Sequence, residues 1–377
     1  MKTTITILAL TFLLFFTSFS HLFAKVEVGK KKKLELYGDM RFRVELDRNS
    51  TKSDGSERDN RDRLRFRFRF GFDYKHSDHF SFGGRLRSGS LASSQSPHVT
   101  LGNELTPKTI HIDKAYINAK WNSGFIWAGK NSFPFWKQNE MFWDDDVTPE
   151  GLAFSQSFKL GKSGIAANGG YFILDNSTSN TFGDQARLLG AQLAFKGKMK
   201  GLKIQAGGGI FVFREDTTQV DIRLADLDYT IGVFGANLAL KNWPKPVKIG
   251  VDFMANLENY DTTEVFNADQ TTGYVASIKI GELKNKGDWL LGYYYAHIEE
   301  FAVVARYAQD DWVRWGSSTE TRSSNFQGHE IRFAYALGSK NNLVARLYLV
   351  EGLKLRNAAA TSEEDGTRFR IDWNIGF

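Results

Sequence analysis

Between residues 63 and 74 the chain reads Arg-Leu-Arg-Phe-Arg-Phe-Arg-Phe-Gly-Phe-Asp-Tyr. Successive side chains on a strand point to opposite faces. One face therefore carries Leu64, Phe66, Phe68, Phe70, Phe72 and Tyr74, and the other Arg63, Arg65, Arg67 and Arg69. Few folds satisfy both faces. A soluble sheet would bury the rings in a core and leave the guanidinium groups in water. A membrane barrel would turn the rings to lipid and the arginines to its interior.

The alternation recurs along the whole chain. Leu34, Leu36, Gly38, Met40, Phe42, Val44 and Leu46 alternate with Glu35, Tyr37, Asp39, Arg41, Arg43, Glu45 and Asp47. Similar segments fall near 80–90, 110–121, 125–133, 151–159, 165–174, 186–196, 202–213, 228–240, 247–257, 272–281, 288–299, 326–337, 342–352 and 367–377. That makes about sixteen strands, with 14–18 possible, most near the ~9–11 residues of a tilted bilayer-crossing strand. Parity slips between Ile112 and Ala115, which reads as a bulge. The segment at 228–240 has no clean face.

Connections alternate too. Short ones lie near 75–78, 122–124, 160–164, 196–201, 241–246, 282–287 and 338–341. Long polar ones lie near 48–60, 91–108, 134–150, 175–185, 214–227, 258–271, 300–325 and 354–366. Short periplasmic turns and long outer loops are the arrangement of outer-membrane barrels, and both termini on the periplasmic side require an even strand count. The expected fold is all-β: a transmembrane, antiparallel, up-and-down β-barrel forming a single domain over residues 25–377. The rival, a soluble sandwich, would put sixteen long strands and no helix in one domain, which is unusual.

Residues 1–24 read as a secretory signal peptide. Lys2 supplies the positive start, Ile5 to Phe16 the apolar run, and Leu22-Phe23-Ala24 a cleavage site, with Leu22 larger than the usual small residue. The chain has no cysteine, so disulfide scaffolding and thiolate chemistry are excluded. No later segment approaches the ~20 apolar residues of a membrane helix. The end, Phe369, Ile371, Trp373, Ile375, Phe377, resembles the terminal signal by which outer-membrane barrels are recognised, making the barrel-assembly machinery an expected partner beside outer-membrane lipid. Trp121, Trp127, Trp243 and Trp289 sit at or beside short turns, where an aromatic girdle belongs. Glycine is abundant and proline scarce (35 against 6).

An arginine facing lipid at mid-bilayer costs roughly 2–4 kcal/mol, so Arg63, Arg65, Arg67 and Arg69 must face the lumen. Neighbouring strands add Arg41, Arg43, Arg85 and Arg87, and barrel closure brings Arg368 and Arg370 to the same wall. They outnumber Glu35, Asp39, Glu45, Asp73 and Asp372 on that wall. The expectation is a water-filled lumen whose basic wall favours anions; a solvated wall with scattered salt bridges is the alternative. The connection near 134–150 holds Phe135, Trp136, Phe142 and Trp143, rings that need something to pack against. It is expected to fold inward as a constriction loop and set Asp144, Asp145 and Asp146 near the arginines, with Glu150 at its end. The same four acids offer calcium hard oxygens, without a defined spacing.

Catalysis finds little support. His76, His79, His98, His111, His297 and His329 are scattered, and no serine sits in a Gly-x-Ser-x-Gly elbow. His329-Glu330 lacks a second histidine at Phe333, and Gly161-Lys162-Ser163 lacks the glycine of a phosphate loop at Gln156. A barrel lipase or protease and a substrate-selective channel remain alternatives. No cofactor and no metal are called for. The Arg and Phe residues at 63–70 lie on opposite faces and could not together grip a nucleic acid. Trp312, Arg314 and Trp315 in the 300–325 loop suit ordinary packing, or contact with solute or a neighbouring subunit.

One stretch resembles a known family. Asp113-Lys114-Ala115-Tyr116-Ile117, Gly129-Lys130, Phe133-Pro134-Phe135, Trp143-Asp144-Asp145-Asp146 and Pro149-Glu150-Gly151 together resemble the putative-porin family of Gram-negative bacteria. The resemblance implies an outer-membrane channel passing small hydrophilic solutes, with no catalytic residue and no named substrate. A homotrimer is expected only by analogy with other sixteen-stranded porins.

Overall fold

A computed structural model describes residues 26–28, 33–102, 104–175, 185–214, 227–241, 243–260, 265–317 and 320–377. The signal-peptide reading of 1–24 lies outside them, as do the central parts of the long connections near 175–185, 214–227 and 258–271.

Sixteen strands form the wall: β1 (Leu34–Arg48), β2 (Arg61–Lys75), β3 (Phe80–Ser88), β4 (Ile110–Trp121), β5 (Gly124–Lys130), β6 (Glu150–Leu160), β7 (Ser163–Asp175), β8 (Ala186–Met199), β9 (Leu202–Arg214), β10 (Tyr229–Leu240), β11 (Val247–Asn256), β12 (Thr272–Gly281), β13 (Trp289–Ile298), β14 (Phe326–Gly338), β15 (Asn341–Gly352) and β16 (Asp365–Gly376). Each pairs antiparallel with its sequence neighbour, and β16 closes on β1 through Asp39↔Gly376 to Arg48↔Thr367. Closure removes the free edges that a bilayer cannot satisfy.

Two local devices complete the ladder. β3 stops at Ser88, and Val99–Thr100 of the following loop takes over pairing with Arg65 and Phe66 of β2. At the seam the backbone of Phe377 donates to Gly38 O at 3.0 Å. The expected bulge lies on β4: Arg85 faces Lys114 and Leu86 faces Ile112, leaving Asp113 as the extra residue.

The outer surface is the apolar belt the alternation demands. Met40, Leu64 and Phe70 stand exposed on β1 and β2, as do Ile112 and Ile117 on β4 and Phe234 and Leu238 on β10. The charged partners point inward, and Arg43, Glu45, Arg370 and Asp372 are buried. Trp121 and Trp243 are exposed near short turns, as a girdle requires, but Trp127 is not part of it. Its indole turns inward and packs on Phe172 at 5.9 Å between centroids.

Candidate functional site

Two unlike walls line the lumen. Strands β16, β1, β2 and β3 hold all the arginines picked out above. The facing strands β7 to β10 present Phe172, Leu188, Phe211, Phe213, Tyr229 and Ile231, all buried. These side chains stay dry because loops cover them.

The first covering loop, residues 131–149, leaves the wall because β5 is short. Gly129 adopts φ +114, a conformation favouring glycine, and the chain then turns inward. Its rings land on a groove of inward glycines. Cβ atoms added at Gly190 and Gly207 would meet Phe135 at 2.5 Å and Trp136 at 2.7 Å, and Trp136 also lies against Gly235. Larger residues at these positions would fill the groove. Gln192 of β8 grips the loop backbone, accepting from Trp136 N at 2.7 Å and donating to Trp136 O at 2.8 Å. Phe133 stacks on Trp143 at 4.4 Å, and Phe142 packs on Phe211 at 4.7 Å.

The second loop, in its described residues 299–317 and 320–325, also folds inward, where the sequence pointed only to ordinary packing or outward contact. Val303, Val304, Trp312, Val313 and Trp315 are buried. Trp312 packs on Phe326 and Tyr348 at 5.8 and 5.6 Å, so its role is packing within the barrel. The two loops lock together: Trp143 stacks on Tyr307 at 5.1 Å, and Asp144 N donates to Tyr307 O at 2.7 Å. Gln95, from the loop after β3, donates to Ala305 O and Ala308 O, each at 2.9 Å.

The acids of the first loop diverge. Asp146 reaches the basic wall, 2.7 Å from Arg69 and 3.6 Å from Arg67, and its carbonyl accepts from Arg87 at 2.9 Å. Asp145 turns to Lys137 at 2.7 Å. Asp144 accepts from the backbone of Asp146 at 2.7 Å, a turn-forming bond. Glu150 is the first residue of β6 and pairs with Lys130 at 2.7 Å. Only Asp146 therefore stands against the arginines. Among the described residues no group of three or more acids and histidines is placed to hold a metal ion.

The arginines are more fully countered than the wall's own acids suggested. Arg43 holds Asp372 at 2.6 Å, Arg368 holds Asp47 at 2.6 Å, and Arg370 holds Glu45 at 2.8 Å. Arg63 also binds Glu45, and Arg85 binds Asp113. Asp311, from the second loop, pairs with Arg370 and lies 3.5 Å from Arg43. Arg65 uses Ser96 and the His98 carbonyl, both at 3.2 Å, and Arg41 uses Asn374 at 2.6 Å. Burial acts to raise both acids, yet these guanidinium groups hold Asp311 well down and Asp146 down. Asp311 had a sequence signal: a loop holding Phe301, Tyr307, Trp312 and Trp315 needs a surface to pack on, as the first loop does.

Above the first loop lies a vestibule of about 730 Å³, lined in part by Arg87, His111, Lys130, Asp146, Arg306 and Tyr307. It opens at the strand ends that carry the long loops.

A closed sixteen-strand barrel with a lipid-facing apolar belt and a charged lumen is an outer-membrane β-barrel, and its architecture is that of a porin. Solved structures agree on the fold. Pseudomonas putida OprB superposes with a TM-score of 0.56 at 12% identity over 92% of this chain and 95% of its own. Salmonella typhi OmpF, in a complex with daunomycin, gives 0.52 at 10% identity over 91% and 97%. The trimer form of Vibrio cholerae OmpT gives 0.51 at 13% identity over 91% and 99%. No curated protein matches. Residues 49–229 match the family described as putative porin; with the barrel fold, this match supports a porin-like channel of the cell outer membrane.

Proposed function

We propose that the barrel passes small hydrophilic solutes by passive diffusion along the arginine-walled side of its lumen, favouring anions. The loops at 131–149 and 299–325 would narrow that path. The observation that carries this reading is the asymmetry of the lumen. The aromatic side is dry and covered, whereas Arg41, Arg63 and Arg69 on the other side keep 18%, 21% and 15% of their side chains exposed. Water and solute therefore have one side to follow. The loop acids offset much of the basic charge, so the expected anion preference is modest.

A homotrimer fits the same reading by analogy with the trimer form of the Vibrio protein, and the terminal strand ending at Phe377 is the proposed handle for the assembly machinery. The reversal potential of the purified chain in a planar bilayer under a salt gradient tests the proposal. A potential of the anion-preferring sign supports it, and a clear cation preference overturns it.

A further inference from the structure

One line of hydrogen-bonding register climbs the lumen and is occupied almost throughout by cations. Lys203 faces Ala239, which faces Lys248, which faces Lys279; Lys279 faces Gly292, which faces Arg332, which faces Arg346, which faces Arg370. All point inward by the parity of their strands. Because barrel strands tilt, such a line rises as it crosses the wall. It starts beside the short turns, Lys248 being the second residue of β11, and reaches mid-barrel at Arg332, six residues from the short-turn end of β14.

The upper members are countered: Arg346 by Asp372, Arg370 by Glu45. The lower ones differ. Among the described residues Lys203, Lys248 and Lys279 form no ion pair. At the centre Gly292 makes room for the ring of Tyr294, whose Cε2 lies 3.1 Å from where a Cβ would stand. Lys279 Nζ lies 5.1 Å and the Arg332 guanidinium 4.7 Å from that ring's centroid. The Tyr294 hydroxyl is buried and has no hydrogen-bond partner among the described residues. Two acids face this place. Glu330 holds Arg332 at 2.6 Å, and Asp252 is taken up by Gln138 at 2.5 Å and by Asn139.

We propose that a small oxyanion, a carboxylate or inorganic phosphate, rests between Lys279, Tyr294 and Arg332 on its way along this line. Two cations supply charge, and the unpartnered hydroxyl supplies a directed donor. The site is a station, not a trap: neighbouring cations on either side let the ion leave as another arrives. This rests on the anion-preferring channel proposed above and locates its lower path on β11 to β14.

The test uses the full chain in planar bilayers carrying chloride current, with inorganic phosphate added on the side of the short turns. Phosphate should reduce the current saturably. Lys279→Gln and Tyr294→Phe should each raise the half-blocking concentration at least fivefold, while Lys162→Gln, on an exposed turn, leaves it unchanged. Tyr294→Phe keeps the ring, and heat-modifiable gel migration reports whether each variant folds. If the native chain prefers anions and folded Lys279→Gln and Tyr294→Phe block at the native concentration, the site is refuted while the channel reading stands. If the native chain prefers cations, both fall.

Discussion

Arg69 on β2 grips two carboxylates at once, Asp39 on β1 through Nε and Asp146 on the 131–149 loop through Nη1, each at 2.7 Å. The first contact belongs to the wall and the second to the loop, so one guanidinium ties the loop to the wall.

Asp146→Asn removes the carboxylate charge that meets Arg67 and Arg69 while keeping the side chain's size. With Arg67 and Arg69 relieved of that counter-charge, the anion-to-cation permeability ratio should rise. The loop should also lose about 1–3 kcal/mol of anchoring, as for a charged hydrogen bond. Reversal potentials give the first quantity and single-channel current noise the second; an unchanged ratio would place Asp146 outside the conducting path.

Trp143→Ala removes the ring stacked on both Phe133 and Tyr307. Truncating such a buried aromatic costs about 3–5 kcal/mol, enough to unseat both loops. Mean single-channel conductance should increase, with more frequent switching between levels.

Asp372→Asn should harm the barrel seam more than Asp311→Asn does. Asp372 holds Arg43 with both oxygens, at 2.6 and 3.2 Å, and Arg346 besides. Losing it strands buried charge, at about 3–5 kcal/mol. When Asp311 is neutralised, Asp372 and Glu45 still hold Arg43 and Arg370, so about 1–3 kcal/mol is expected. Urea midpoints in detergent micelles would rank the two.

The loops also carry a pH response. Burial, then neighbouring Asp145, pushes Glu140 up to about 7; burial, then Asp311, pushes Asp310 up to about 6. Both values are raised above the unfolded ones, so the native state binds more protons. The contribution of these two groups to loop seating is thus fully present below the ordinary carboxylate range and is lost as pH rises through 6 and 7. Conductance should be larger at pH 8 than at pH 5, and Glu140→Gln should flatten the upper part of that change.

The barrel could be read from the sequence because lipid and lumen demand opposite chemistry on alternate residues. That contrast fails where the lumen is itself apolar. Tyr229, Ile231 and Val233 on β10 face inward toward covered aromatics while Phe234 and Leu238 face lipid, so 228–240 shows no polarity alternation. Trp127 was misplaced for the same reason. The inward turn of 131–149 was readable from its rings, but which acid meets the arginines was not. That depends on a turn that spends Asp144 on its own backbone and sends Asp145 to Lys137. The glycines that seat the loop look like ordinary strand glycines until Phe135 and Trp136 are seen against them.

The chain contains no cysteine, so single cysteines can be placed cleanly on the two faces of β2. The most direct test compares Arg69→Cys with Phe70→Cys in planar bilayers exposed to a charged, membrane-impermeant thiol reagent. With Arg69 facing the lumen and Phe70 facing lipid, current drops stepwise at position 69 and not at 70. A drop at 70 with none at 69 would contradict this placement.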